Sequence, residues 1–218
     1  MTDWKATLTS YGVAMTGSFH FVGTQGHQAD QGLHFETYID KDRITLFPGL
    51  LPSLAQDIAL QAAQYSVDMV VGLALGAISL GQTVATILQK PFGFLTSDLK
   101  LRSAYQEAIQ GKRIVLIEDI INTGWSTKQA AEVIQQAGGK VLAALCVWDR
   151  STQLPPIQQP IHSLVRQSFP VWTLDLCLRN GPCARGVPIK RSPGHGRQLE
   201  LLHKYASPPL QRTLHFVD

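Results

Sequence analysis

Ile114-Val115-Leu116-Ile117-Glu118-Asp119-Ile120-Ile121-Asn122-Thr123-Gly124-Trp125-Ser126-Thr127 is the stretch whose reading decides the fold. The four leading apolar residues suit a short strand buried on both faces. Two adjacent carboxylates follow where the strand is expected to run out. Such a pair is costly unless it meets cations or hydrogen-bond donors. A glycine-bearing turn comes next, and Ser126 is placed to cap a helix. The first N–H groups of that helix are unpaired and its dipole favours an anion, so the turn suits a phosphate. Thr123, Ser126 and Thr127 add hydroxyl donors. Phosphate donors beside acids that can hold vicinal hydroxyls match a ribose 5-phosphate. An acid pair capping an ordinary loop would present the same residues, so the surrounding chain has to decide.

Working outward, Ala130, Ala131, Val133, Ile134 and Ala137 give the helix an apolar face, and Gly138-Gly139 ends it. Val141–Val147 is the next expected strand, closing at Trp148-Asp149-Arg150. Upstream, Leu54, Ile58, Ala62 and Tyr65 recur at helical spacing, Val67–Gly72 reads as a buried strand, Ile78–Leu88 as a helix and Phe92–Leu95 as a strand. Ser97–Gln110 is polar and mixed and reads as a surface loop. Strand–helix–strand alternation implies a parallel α/β sheet, whose ligands bind beyond the carboxyl ends of the strands. Residues 1–50 are irregular apart from an expected strand at Glu36–Asp40. Gln153–Pro160 holds three prolines and reads as a connector, with a lid and tail beyond it. The expected organisation is an N-terminal hood segment at 1–50, an α/β core at 51–150 and a connector, hood and basic tail at 151–218, within one compact domain.

Composition limits the function classes. The chain has 218 residues, 44% hydrophobic and 16% charged, an ordinary globular balance with enough length for a sizeable core. A formal net charge of +3, scattered along the chain, gives no sign of a nucleic-acid partner. The N-terminus lacks a basic region followed by an apolar run, and no apolar stretch is long enough to cross a bilayer. Neither export nor a membrane partner is expected. Three cysteines, Cys146, Cys177 and Cys183, are an odd number that favours a reducing, cytoplasmic setting. Cys177 and Cys183 lie near His195 and His203 in sequence, but no CxxC spacing supports a structural zinc, and no protein-held metal is expected.

With these residues on the page, VLIEDIINTGWST resembles the 5-phosphoribosyl-1-pyrophosphate (PRPP) signature of type I phosphoribosyltransferases. Other segments are similar to the orotate branch of that family. Gln31–Asp42 resembles its N-terminal SG(L/R)HS…Y segment, which helps to hold the base. Val71–Ile78 resembles its pyrophosphate loop, and Asp149-Arg150 matches the DR pair that ends the strand after the PRPP motif. Gly181–Pro188 is similar to the cysteine-bearing CPLCxxGxP tail of some members. Phe94–Ile109 occupies the place of the family's mobile loop without its RKxxKxHG motif, and it holds Lys100 and Arg102. Trp125 stands where the family has a small residue, pointing either outward or into the site.

The resemblance implies a type I phosphoribosyltransferase fold, a central parallel sheet flanked by helices with a small hood from the two termini. It implies an enzyme that joins orotate to PRPP, giving orotidine 5′-phosphate and pyrophosphate, or one acting on a purine. A non-catalytic PRPP-binding regulator of the same fold is the other reading. Glu118 and Asp119 would hold the ribose hydroxyls or magnesium-bound water, with Mg2+ bound mainly through substrate. Asn122, Thr123, Gly124, Trp125, Ser126 and Thr127 would take the 5-phosphate, and Leu73, Ala74, Leu75 and Gly76 the pyrophosphate. Arg150, Thr123, Tyr38, Ile39 and Lys41 would face the base. Lys100 or Arg102 would neutralise the leaving group across a homodimer interface, or simply be solvated, as a strand-end Lys41 also can be.

Overall fold

Apolar runs become strands here because each is long enough to pair and too apolar to face water. The computed structural model describes residues 2–25, 28–153, 155–205 and 214–218, with only the backbone of 24–25, 28–31 and 202–205. In chain order the elements begin with α1 (Trp4–Ser10), β1 (Ala14–Met15), β2 (Phe21–Gln25), β3 (Gln28–Phe35) and β4 (Tyr38–Ile39). Then come α2 (Asp42–Leu46), α3 (Leu50–Ala62), β5 (Met69–Leu73), α4 (Ala77–Leu88), β6 (Phe92–Leu95) and α5 (Ser103–Ile109). They are followed by β7 (Arg113–Ile121), α6 (Trp125–Gln136), β8 (Lys140–Asp149) and β9 (Ile161–Arg166). The chain continues through β10 (Val171–Thr173), α7 (Leu174–Asn180), a 3-10 turn (Cys183–Arg185), β11 (Ile189–Lys190), α8 (Gly196–Tyr205) and β12 (Phe216–Val217).

The chain divides into two units. The first holds Lys41–Ser168 with the N-terminal residues up to Lys5. Its centre is a five-stranded parallel sheet in the order β6-β5-β7-β8-β9. All five residues of β5 are buried, as the sequence pattern requires of a strand covered on both faces. Met69, Val71, Leu73, Ile114 and Leu116 share one apolar cluster with Ala130, Ala131 and Ile134 of α6. Alternation along β7 therefore turns Glu118 toward the α6 face and Asp119 toward the opposite one.

The second unit comprises Ala6–Asp40 and Phe169–Asp218. It contains a three-stranded antiparallel sheet, β10-β3-β2, with two short pairs, β1-β4 antiparallel and β11-β12 parallel. Val22, Ile189 and Leu199 form one apolar cluster in it.

Several expectations change. The sheet does not end at Arg150, because β9 adds a fifth strand beyond the proline-rich connector. The first unit accordingly runs on to Ser168, and it begins at Lys41 rather than at 51. Ser97–Gln110 is not all loop, since Ser103–Ile109 forms α5 and buries Ile109. The tail beyond 160 carries three strands and two helices after β9 rather than an irregular lid. Its short elements have too few residues to show a periodicity.

Candidate active site

Glu118 and Asp119 lie within β7, not after it. Pairing with β8 continues to Ile121, whereas pairing with β5 stops at Ile117. Past that point the neighbouring chain has turned away into Ala74-Leu75-Gly76, and the flank of β7 is exposed to whatever that turn admits. The Ala74–Leu75 peptide is cis and Leu75 is exposed. Gly76 lies directly against Asp119: a β-carbon there would run into its carboxylate and come within 3.3 Å of Lys41 Nζ. The expected pyrophosphate loop and the expected ribose acids are thus one continuous surface at the carboxyl ends of the parallel strands, where ligands of such sheets bind.

Asp119 is buried and doubly engaged. Its Oδ1 accepts from the Ile120 N–H at 2.6 Å, and Lys41 Nζ stands 3.2 Å from Oδ2. Lys41 was expected to face the base; the structure instead pairs it with the acid. Burial alone would lower the Lys41 pKa, but the charge and hydrogen bond of Asp119 outweigh it and the net shift is upward. Sequence reasoning missed this pair because 78 positions of chain separate its members.

Glu118 is different. Its Oε2 is buried without a hydrogen-bond partner among the described residues. Burial, reinforced by the adjacent Asp119, pushes its pKa from 4.5 to about 8, against a smaller pull from Lys41. A carboxylate held this way gains most from a ligand that brings hydroxyl donors or positive charge.

The turn after β7 behaves as expected, with one change of cap. Gly124, not Ser126, is the N-cap of α6, at φ 72°, a left-handed conformation that glycine adopts without strain. Thr123 Oγ1 receives a long 3.4 Å hydrogen bond from Trp125 N. Pro155 of the connector packs against Gly124 so closely that any side chain there would strike it. Asn122, Thr123 and Ser126 are exposed, and Thr127 is buried in the helix face. Trp125 is 54% exposed, and Lys128 Nζ lies 5.0 Å from its ring centroid, a cation–π contact on the outside of the helix. Of the two orientations open to it, the side chain takes the outward one.

Arg150 follows the last residue of β8, and its N–H donates to the Ile121 carbonyl at 2.9 Å, so it stands beside the start of the 122–127 turn. Burial lowers its pKa. Lys100 and Arg102 are engaged locally: Lys100 Nζ lies 2.6 Å from Asp98 Oδ2 on the surface, and the Arg102 guanidinium sits 5.8 Å from the Phe94 ring centroid. Tyr38 and Ile39 belong to the second unit, where they pair with Met15 and Ala14. Gly181–Pro188 also lies there, and Cys177 and Cys183 do not gather with His195, which bonds Gln198. The His203 side chain lies outside the described residues.

A parallel sheet whose carboxyl ends combine a glycine-tight turn, two acids and a hydroxyl-lined helix start defines the class of proteins that grip a phosphorylated sugar. The match to known proteins makes the class specific: a phosphoribosyl transferase domain model covers residues 50–179, more than half the chain, and the chain belongs to the phosphoribosyltransferase family. The chain is 30% identical to orotate phosphoribosyltransferase of Phenylobacterium zucineum over 79% of its own length and 90% of the relative's. It is 27% identical to that of Thermotoga maritima over 88% and 98%. Among solved structures, orotate phosphoribosyltransferase from Aeropyrum pernix superposes with a TM-score of 0.57 at 23% identity, covering 80% of this chain and 95% of that one. Fold and membership agree with the type I phosphoribosyltransferase expectation from the sequence.

Proposed function

We propose that this enzyme transfers the 5-phosphoribosyl group of PRPP to orotate, releasing pyrophosphate and forming orotidine 5′-phosphate. The observation that carries the reading is the junction of Gly76, Asp119, Glu118 and the 122–127 turn at one end of the sheet. Full-length similarity to relatives named for orotate, together with Arg150 beside that turn, favours orotate over a purine. An Arg fork suits a planar carboxylate.

In the reaction the C1–O bond to pyrophosphate breaks and its electron pair leaves with the pyrophosphate. The base nitrogen attacks C1 from the opposite face, and its N–H proton passes to solvent. Between these events the ribose ring carries oxocarbenium-like charge, so positioning and charge stabilisation are the protein's main contributions. Glu118 and Asp119 hold the ribose hydroxyls, and Lys41 pairs with Asp119 and orients it. The N–H groups and hydroxyls of 122–127 fix the 5-phosphate. The Leu73–Gly76 turn brings backbone to the pyrophosphate, which only a residue without a side chain at 76 permits. Magnesium, held mainly through substrate beside Glu118 and Asp119, would supply neutralising charge; the oxygen-rich acid pair, with Glu118 Oε2 unpartnered among the described residues, fits a hard cation.

Lys100 and Arg102 are the proposed cations for the departing pyrophosphate, released from Asp98 and Phe94 when the loop closes, and contributed across a homodimer. A cytoplasmic setting agrees with the absence, among the described residues, of a helix long and apolar enough to cross a membrane. The test is purified protein with PRPP, magnesium and orotate, followed by loss of orotate absorbance, beside adenine, guanine and hypoxanthine. Turnover of orotate alone supports the proposal. Turnover of a purine alone moves the assignment to that base, and PRPP binding without turnover of any base moves it to a regulator.

A further inference from the structure

The geometry points to a zinc site of two histidines and two cysteines, His20, His34, Cys177 and Cys183, inside the second unit. One ligand atom from each of these four side chains lies within 4.8 Å of every other. His20 Nε2 and His34 Nδ1 face each other at 2.9 Å, and Cys183 Sγ stands 3.4 Å from the first and 3.5 Å from the second. A tetrahedron with the usual zinc–ligand bond lengths has edges of about 3.3 Å between nitrogens, about 3.6 Å between nitrogen and sulfur and about 3.8 Å between sulfurs. The three separations among His20, His34 and Cys183 are those edges with the nitrogens drawn slightly together, and Cys177 Sγ lies within 4.8 Å of each.

The surroundings suit a metal better than a hydrogen-bond network. His20, His34 and Cys177 are fully buried, and no carboxylate is part of the cluster. Only one of two facing imidazole nitrogens can carry the shared proton, so hydrogen bonding uses this set poorly. Thiolate and imidazole together select zinc over magnesium or calcium. The Cys183 N–H donates to Cys177 Sγ at 3.2 Å, which stabilises a thiolate there. Backbone contacts hold the ligands from several directions: His20 N donates to Pro188 O, Lys190 N to His20 O, and Gly181 N to Cys177 O. His34 is fixed in β3 between Val22 and Trp172.

Sequence spacing could not reveal this set. Cys183 follows His20 by 163 positions, and His20 stands just before β2 while His34 lies in β3 opposite Val22. The ion would tie His20 and β3 to α7 and the 3-10 turn, closing a long loop within the unit.

The test uses the full chain, expressed in zinc-supplemented medium and analysed by elemental mass spectrometry. About one equivalent of zinc per chain is expected, with Cys146→Ser retaining it and Cys183→Ser losing it. Metal-depleted wild type titrated with cobalt should develop visible d–d bands of a tetrahedral site and a sulfur-to-cobalt charge-transfer band. The cobalt titration needs no variant, so a Cys183→Ser chain that fails to fold leaves the test intact. Protein purified from zinc-supplemented medium without zinc and with Cys177 and Cys183 freely reactive, a Cys177–Cys183 disulfide in that protein, or no tetrahedral cobalt spectrum would each overturn the site.

Discussion

Replacing Glu118 with glutamine probes the acid pair in two opposite directions. The wild-type carboxyl titrates near 8 in the folded chain against 4.5 when unperturbed, chiefly because burial penalises its charge. The folded state therefore holds a proton that the unfolded state releases. This contribution to stability is complete below about pH 4.5 and is lost progressively as pH rises toward about 8. Each pH unit of that window is about 1.4 kcal/mol, a ceiling near 5 kcal/mol across the whole of it. Relaxation of the carboxylate and entry of water recover part of the loss, so about 2 kcal/mol is the expected net cost at pH 8. Glutamine has no such cost. Glu118→Gln should match wild type in thermal unfolding at pH 5 and melt about 4–8 °C higher at pH 8. Its PRPP affinity should fall, because ribose hydroxyls lose an anionic acceptor, while wild-type affinity should strengthen as pH rises and Glu118 ionises. Differential scanning fluorimetry and calorimetric PRPP titration at pH 5, 6, 7 and 8 read both arms. Parallel stability profiles for the two proteins would refute the argument that burial holds Glu118 protonated.

Gly76→Ala should cost at least about tenfold in PRPP affinity and about 1–3 kcal/mol in urea unfolding, because the new methyl group must displace the Asp119 carboxylate. Trp125→Ala should leave PRPP affinity within about twofold and cost no more than about 1 kcal/mol, since it removes only an outward stack with Lys128; a large loss by calorimetry would mean that the indole takes part in the turn. Arg150→Lys should raise the KM for orotate by about 10- to 30-fold with the KM for PRPP little changed, because an ammonium cannot reproduce a bidentate fork. Equal effects on both constants in steady-state assays would remove Arg150 from base recognition.

The core of the fold was legible from local pattern. Short apolar runs and the turn residues between them locate β5, β6, β7 and β8 within a few positions, and helices α3, α4 and α6 show their buried stripes. These elements are long enough, and buried enough, for periodicity to decide them. The strand β9 and the helix α5 escaped because burial is partial: β9 is mostly half-buried, and α5 buries only Ile109. Elements whose faces are not sharply divided between water and core leave a weak mark in sequence.

Ile114–Thr127 by itself determined that this chain has a strand, an acid pair and a glycine-led helix start, since those properties are local to the backbone and a few side chains. What only the tertiary structure decided is how the acids are held. Lys41 comes to Asp119 from 78 positions away, and Gly76 closes against the same carboxylate because β5 ends while β7 continues. The same holds for His20, His34, Cys177 and Cys183, which no spacing rule unites. Charges and ligands that meet across long loops leave no periodic trace, because their encounter depends on chain closure driven by burial elsewhere in the fold.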